Sequence, residues 1–497
     1  MNYRIPLPNE IGRFLHRGGA IRTRNFDLKA VTLPLNFSYQ PFFWIGNDQH
    51  GVFWFCQTTN GWENFNDKDA IGLIRTADGL ALNMSVAIRG DPNGYATHSF
   101  GLLPTPIKKL PQDWRLLRMV PAVGGNAYVV WPNEGEMASP YFGYPGSTKP
   151  EQMTRIVSGY RRGGVTALPY ACPTWIATKT PEWLLNRADW EGGVVDRAYS
   201  VTGKDGQFRN VCTAAKSWKR FVRERFGEFI EEFHLTGLYM DNAQVYAIQN
   251  CIGAERNEMI DHPIVEQREG YISIMRSLRQ NSARTLGVVH SSGGLNLPTF
   301  SVVDAWVSGE QFRGKVQRDY LEVASLLDFR VELNSRQWGI ISIFLPEFSG
   351  EQAREVWPTR KLMSILMLHD VTPWPQWANV EEINRALRLL DAFGTRDAEF
   401  VPYYADHPLV VSSAPGVLVS SYVKGSESLH IAANLTKEDL SPQFCLGAAQ
   451  SAGAPQLVNW FSRKPIRLAD GCFELEIAAG EYAMFYSKNE RYKADRR

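Results

Sequence analysis

Three hydrophobic–polar patterns follow one another along the chain. Between about residues 30 and 90 the apolar runs are short and separated by turn residues. FFWIGNDQHGVFWF (42–55) is two apolar runs joined by a polar turn, which predicts a β-hairpin. AIGLIRTADGLALNMSVAI (70–88) repeats the pattern around Ala-Asp-Gly. No helical period occurs before residue 112, so a small β domain is expected over 1–114, its end marked by the Pro-rich linker LLPTPIKKLPQDW (102–114).

From about 115 to 395 apolar runs alternate with helical periods. YVVWPNE (128–134) and VTALPYACPTW (165–175) read as strands, with EQMTRIVSGYRR as a helix between them. The clearest helix covers 214–233, where Trp218, Phe221, Val222, Phe226, Phe229, Ile230 and Phe233 share one face of a 3.6-residue period. GLYMDNAQ (237–244) follows as a strand ending in polar residues. A helix over about 263–280 leads to TLGVVH (285–290) and VVDAWVSGEQF (302–312). A helix with Tyr320, Leu321, Ala324 and Leu327 on one face precedes WGIISIFLP (338–346). Helices at about 351–368 and 380–393 flank HDVTPWPQW. Seven or so strand-then-helix units in ~280 residues predict a (β/α)8 TIM-type barrel, with an open doubly wound sheet as runner-up. After 395 the helical period vanishes. VLVSSYV, SLHIAANL, QLVNWF, CFELEI and YAMFYS predict an antiparallel C-terminal β domain over 396–497, ending in a frayed basic tail.

Composition narrows the function classes. The chain has 497 residues, and its 53 basic and 52 acidic residues leave a net charge of +1, so no field draws nucleic acid or an anionic membrane. No apolar run reaches the ~18 residues of a membrane span. The N-terminus lacks the apolar core of a secretion signal, which leaves cytoplasmic and trimmed secreted origins both open. Oligomeric state is open as well. Six scattered cysteines form no CxxC pair, so neither a zinc site nor a disulfide scaffold is expected, and no cofactor is called for. GxGxxG and GxxxxGK[ST] turns are missing, which speaks against nucleotide-binding folds. Aromatics make up 12% of the chain, many of them in Gly/Pro-rich or polar contexts, as suits rings that stack on a sugar.

In a barrel the working side chains sit at the carboxyl ends of strands. The apolar runs end in Asn133 and Glu134, Trp175, Asp241 and Asn242, His290 and Ser291, Glu310 and Gln311, Glu347, and Asp370 close to Trp374 and Trp377. A face rich in acids and Trp, and poor in Lys and Cys, fits glycoside hydrolysis, where two carboxyl groups flank the scissile bond. Asp241 and Glu310 are the expected catalytic pair, Asp241 as nucleophile or charge stabiliser and Glu310 as general acid/base. Asn242, His290, Trp131, Trp175, Trp306, Trp374, Asp370 and Arg336 are the expected substrate contacts. No HxH or HExxH spacing supports a metal, so none is expected. A polysaccharide lyase and a non-catalytic carbohydrate-binding protein are the alternatives.

FFWIGNDQHGVFWFCQTTNGW, LLPTPIKKLP, GLYMDNAQ and SGEQF together resemble a bacterial group of glycoside hydrolases. That group is similar in layout to family 123: a β-sandwich, a (β/α)8 barrel and a C-terminal β domain. The resemblance implies a carbohydrate substrate and its hydrolysis. The chain departs from it in two ways. Its N-terminal β region is short, and Asp241 is followed by Asn242 rather than the Glu that marks substrate-assisted hydrolysis of N-acetylated sugars. An Asp ending the fourth strand and an acid ending the sixth is instead similar to retaining α-galactosidase-type barrels, at the level of fold analogy.

Overall fold

The computed structural model describes residues 2–17, 24–37, 42–56, 70–77, 79–85, 100–191, 207–213, 215–243, 264–292, 295–447 and 455–489. Gln244, residues 57–62 and 86–88, and the basic tail from 491 lie outside the described residues.

Seven parallel strands form one curled sheet in strictly sequential order. They are β1 (Ala127–Val130), β2 (Thr166–Ala171), β3 (Gly237–Met240), β4 (Leu286–His290), β5 (Ala305–Ser308), β6 (Ile341–Phe344) and β7 (Thr372–Pro373). A doubly wound sheet reverses its strand order at a switch point. This sheet does not, so its plan is that of a TIM-type barrel, with seven strands rather than eight among the described residues. β3, β5 and β6 are buried at every position, because a parallel sheet is covered on both faces.

The connecting helices include α1 (Pro150–Arg162), α2 (Pro181–Trp190), α3 (Lys216–Glu232), α4 (Ile264–Asn281), α5 (Leu297–Phe300), α6 (Leu326–Glu332), α7 (Ser335–Trp338), α8 (Val356–Leu368) and α9 (Val380–Phe393). On α3, Trp218, Val222, Phe226, Phe229 and Ile230 are buried, as their period requires. The helix expected around Tyr320 begins later. Tyr320–Glu322 is a single 3-10 turn, and α6 starts at a capping box in which Ser325 and Asp328 satisfy each other's backbone N–H. Trp175 is not on the sheet either. Trp175–Ala177 pairs antiparallel with Phe208–Asn210 as a separate two-stranded ribbon.

The chain divides into two compact units, one of 1–110, 126–311 and 335–342, the other of 111–125, 312–334 and 343–497. The first carries two N-terminal antiparallel sheets. Phe42–Gly46 and Gly51–Cys56 form the expected hairpin, and Ile71–Thr76 with Gly79–Ser85 the next. Leu15, Phe43, Ile45, Trp54, Leu73, Leu82 and Met84 from both sheets share one core. Part of the expected linker is in fact a strand: Phe100–Thr105 pairs with Gly51–Cys56. Pro104 is tolerated there because this strand is the sheet's edge.

The second unit carries the C-terminal β structure, a six-stranded and a three-stranded antiparallel sheet. Cys445 and Cys472 face each other in register on adjacent strands and form a disulfide, which their 27-residue separation had not suggested.

Candidate functional site

Register brings the first cluster together. Met240 pairs with Val289, and His290 with Val307, so the residues ending β3, β4 and β5 lie at one end of the sheet. Asp241 continues the ladder by one bond, its N–H donating to Ala171 O at 2.9 Å. Asn242 then turns into the left-handed region with φ 56°, a conformation asparagine accepts more readily than most residues. That turn carries the Asn242 N–H onto Asp241 Oδ1 at 2.7 Å. Thr174 Oγ1 donates to Asn242 O at 2.8 Å, and the Ala243 N–H donates to His290 O at 3.0 Å.

Asp241 is held from three sides. Its Oδ1 faces His290 Nδ1 at 3.2 Å, and its Oδ2 accepts from the Tyr170 hydroxyl. Burial alone would raise the Asp241 pKa. The donors His290, Tyr170 and Asn242 N–H outweigh it and hold the carboxyl below its ordinary value, so it is ionised. Burial, reinforced by the Asp241 charge, pushes the Tyr170 hydroxyl well up, so it stays a donor. The same two causes push the Cys172 thiol up, and Cys172 lies 3.7 Å from both the Tyr170 hydroxyl and Asn242 Nδ2.

His290 stands between two acids. Its Nε2 lies 3.1 Å from Ser292 Oγ and 3.8 Å from Glu310 Oε2. With a carboxylate on Nδ1, a ring proton is held on that nitrogen. The imidazole ring therefore stands between the Asp241 and Glu310 carboxyl groups, 3.2 Å from the one and 3.8 Å from the other. Their surroundings differ, since the Asp241 side chain is 20% exposed and that of Glu310 40%. Rings pack beside this cluster. Tyr170 stacks on Tyr239 at 5.8 Å, and Trp131 lies 5.8 Å from Tyr170 and 6.4 Å from Tyr239.

Asp241, Asn242, His290, Glu310 and Trp131 are therefore brought together within the first unit, and each of the other expected contacts has surroundings of its own. Trp306 is fully buried and donates its ring N–H to Ser291 O at 2.8 Å, which makes it a core residue. Trp175 is buried on the ribbon against Phe208. Arg336 lies on α7 before β6, at the amino end of that strand rather than the carboxyl end that carries a ligand face. Asp370 and Trp374 belong to the second unit. Asp370 precedes β7 and is engaged by Arg115 and by the Tyr422 hydroxyl. Trp374 is buried, with its ring N–H on Val120 O at 3.3 Å. Among the described residues no group of three or more His, Cys, Asp or Glu could hold a metal ion, and no helix is long and apolar enough to cross a membrane.

Tyr170 and Ser292 were not anticipated. Tyr170 sits inside an apolar run and looked like core, and Ser292 lies two residues beyond a strand end. The strand count also needs correction. Among the described residues Asp241 ends the third strand of the sheet and Glu310 follows the fifth, where the fourth and sixth were expected, with the same spacing of two.

No protein-family profile matches the chain, and no curated protein sequence matches it. The expected likeness to family 123 thus finds no support. Solved structures do resemble it in fold. An α-galactosidase from Lactobacillus brevis aligns over 100% of this chain and 76% of its own, with 10% identity and a TM-score of 0.54. An Anoxybacillus α-amylase aligns over 74% of this chain and 88% of its own, with 10% identity and a TM-score of 0.50. An α-amylase from Geobacillus thermoleovorans, crystallised with acarbose, aligns over 74% and 89%, with 9% identity and the same TM-score. At such identities the likeness is one of fold: TIM-type barrels with flanking β structure.

Proposed function

We propose that this chain is a glycoside hydrolase acting on the non-reducing end of an oligo- or polysaccharide. One observation carries the reading: Asp241 and Glu310 lie on either side of His290 in unequal environments. An ionised, donor-held Asp241 suits the nucleophile, and the more exposed Glu310 suits the group that exchanges protons with leaving group and water. Asp241 attacks the anomeric carbon as the bond to the leaving oxygen breaks. Glu310 protonates that oxygen, then takes a proton from the water that releases the sugar. Trp131 beside the pair offers a ring face to the sugar. Fold analogy with the amylases and the galactosidase supports the choice of chemistry at that level only. The reading places catalysis in 115–395, with 1–114 and 396–497 as flanking β domains.

A screen of aryl-glycosides tests it. Asp241→Asn is expected to abolish release of the aryl alcohol, and Glu310→Gln to lower it by about 10²–10⁴-fold. Circular dichroism should show both variants folded, and wild-type-like turnover in either would remove that residue from its role. The anomer formed first, read by proton NMR, separates retention, which we favour, from inversion. A lyase would instead release an unsaturated sugar absorbing in the ultraviolet. The raised pKa of Tyr170 already argues against its serving as the base of such an elimination.

A second reading has its own observation. Ser292 Oγ on His290 Nε2, with Asp241 on Nδ1, has the order of an acyl-transfer triad. Cleavage of aryl esters by the wild type, lost in both Ser292→Ala and Asp241→Asn, with aryl-glycosides untouched, would assign the cluster to ester hydrolysis.

A further inference from the structure

We propose that Tyr170 is the positioning residue of Asp241: its hydroxyl pins Oδ2 and leaves the remaining lone pair of that oxygen as the reacting one. This rests on the glycosidase reading of Asp241. Each carboxylate oxygen offers two lone pairs. Oδ1 is met by two donors, the Asn242 N–H at 2.7 Å and His290 Nδ1 at 3.2 Å. Among the described residues Oδ2 accepts only from Tyr170. One lone pair therefore stays available, and it is on Oδ2.

The phenol is itself fixed. Tyr170 is buried at the end of β2, one residue before the carbonyl that binds the Asp241 N–H. Its ring packs on Tyr239, Trp131 and Phe142. The groups facing Asp241 are Tyr170 and Cys172 from the β2 side, Asn242 from its own strand end, and His290 from β4, which in turn meets Ser292 and Glu310. Of these, Tyr170 supplies a neutral donor at every pH the protein would meet in use, because burial keeps its proton on.

The chemistry gives this bond a direction. When Oδ2 attacks, its lone pair forms the C1–O bond, the C1–O bond to the leaving group breaks, and that pair leaves with the leaving oxygen, which takes the Glu310 proton. The carboxylate charge vanishes as the glycosyl ester forms. It returns when water, losing a proton to Glu310, displaces the ester oxygen. A donor on Oδ2 favours the charged form, so Tyr170 favours the second step, the departure of Asp241 from the sugar.

The test is a titration of the full chain carrying 13Cγ-labelled Asp, with the Asp241 resonance identified by its loss in Asp241→Asn. In the wild type this carboxyl is expected to titrate below the ordinary Asp range. Tyr170→Phe, which keeps the ring and its packing, should raise it by about one to two pH units, a roughly ten- to hundredfold gain in proton affinity. Cys172→Ala, which disturbs the packing beside Tyr170 but leaves its hydroxyl on Oδ2, should leave the titration within about 0.3 unit. A Tyr170→Phe value equal to wild type overturns the proposal, as does a Cys172→Ala shift as large as that of Tyr170→Phe. Should Tyr170→Phe fail to fold, 3-fluorotyrosine labelling of the wild type, which strengthens the phenol as a donor, should lower the Asp241 value, and no change would overturn the proposal. Turnover in Asp241→Asn reports on the glycosidase reading separately: if it persists, that reading falls, whereas a dead Asp241→Asn beside an unmoved Tyr170→Phe titration sinks this inference alone.

Discussion

Asp241 and Asp370 are both acids at the edges of strands, and their partners separate them. Asp241 meets a hydroxyl, a backbone N–H and an imidazole, and its side chain keeps 20% of its surface. Asp370 keeps 5% and takes the Arg115 guanidinium on both oxygens, with Nε at 3.0 Å from each and Nη2 at 2.8 Å from Oδ2. The Tyr422 hydroxyl adds a bond at 2.7 Å, and Arg115 also donates to the carbonyls of Thr395 and Ala398. Removing one partner of such a pair strands the other. Asp370→Asn is therefore expected to cost about 3–5 kcal/mol of stability, read by urea denaturation. A loss under about 1 kcal/mol would mean that water replaces the bond. Local pattern showed that an acid stood at each place, but could not show this difference. Arg115 lies 255 residues from Asp370 in sequence, and no period or spacing links them. Tyr170 was invisible for the opposite reason: its ring serves the core, and only its hydroxyl serves Asp241.

At the scale of elements, sequence reading succeeded where the deciding interactions are local. α3 and α9 fall where their apolar periods put them, and both N-terminal hairpins form around their polar turns. It failed at 102–114, where proline suggested a loose connection. After the edge strand Phe100–Thr105, the chain is tied down at Ile107, whose N–H donates to Trp338 O at 2.9 Å, and at Lys108, whose Nζ donates to Val303 O. Gly339 makes this approach feasible. It has φ 75°, and a Cβ there would lie 2.2 Å from the Lys108 carbonyl oxygen. Gly164 has the same φ with nothing within 4 Å of its Cβ position. Gly164→Ala should then show only the conformational cost, about 1 kcal/mol. Gly339→Ala should cost at least about 2 kcal/mol more, because the clash is with backbone that cannot swing away. Thermal melts of the two variants side by side measure the contact, and equal losses would show that residues 107–108 yield easily.

At the scale of the whole molecule, the succession of β, barrel-type and β structure was legible because each part has its own hydrophobic period. How the sheets are fastened was not. The Cys445–Cys472 bond depends on the register of two strands 27 residues apart, and closing a loop of that size is worth about 3.5 kcal/mol in a chain-entropy account. The same unit contains two buried histidines that make its stability depend on pH. Burial lowers the His369 pKa to about 4, with Arg330 adding to the effect against the Ile365 carbonyl. Burial lowers His430 to about 3, between the hydroxyls of Ser421 and Ser487. In the unfolded chain both titrate near the ordinary ~6.5. Above that pH both states are neutral and the stability is whole. Below it the unfolded state binds two protons that the folded state refuses, so stability falls as pH drops. The slope is about 1.4 kcal/mol per pH unit for each histidine. Between pH 6.5 and 4.5 the pair should then remove about 5 kcal/mol. Urea midpoints across that window should give a slope near two protons per chain, falling to one in His430→Asn. A slope unchanged by that substitution would mean that His430 takes up its proton without unfolding, through water reaching it between the strands.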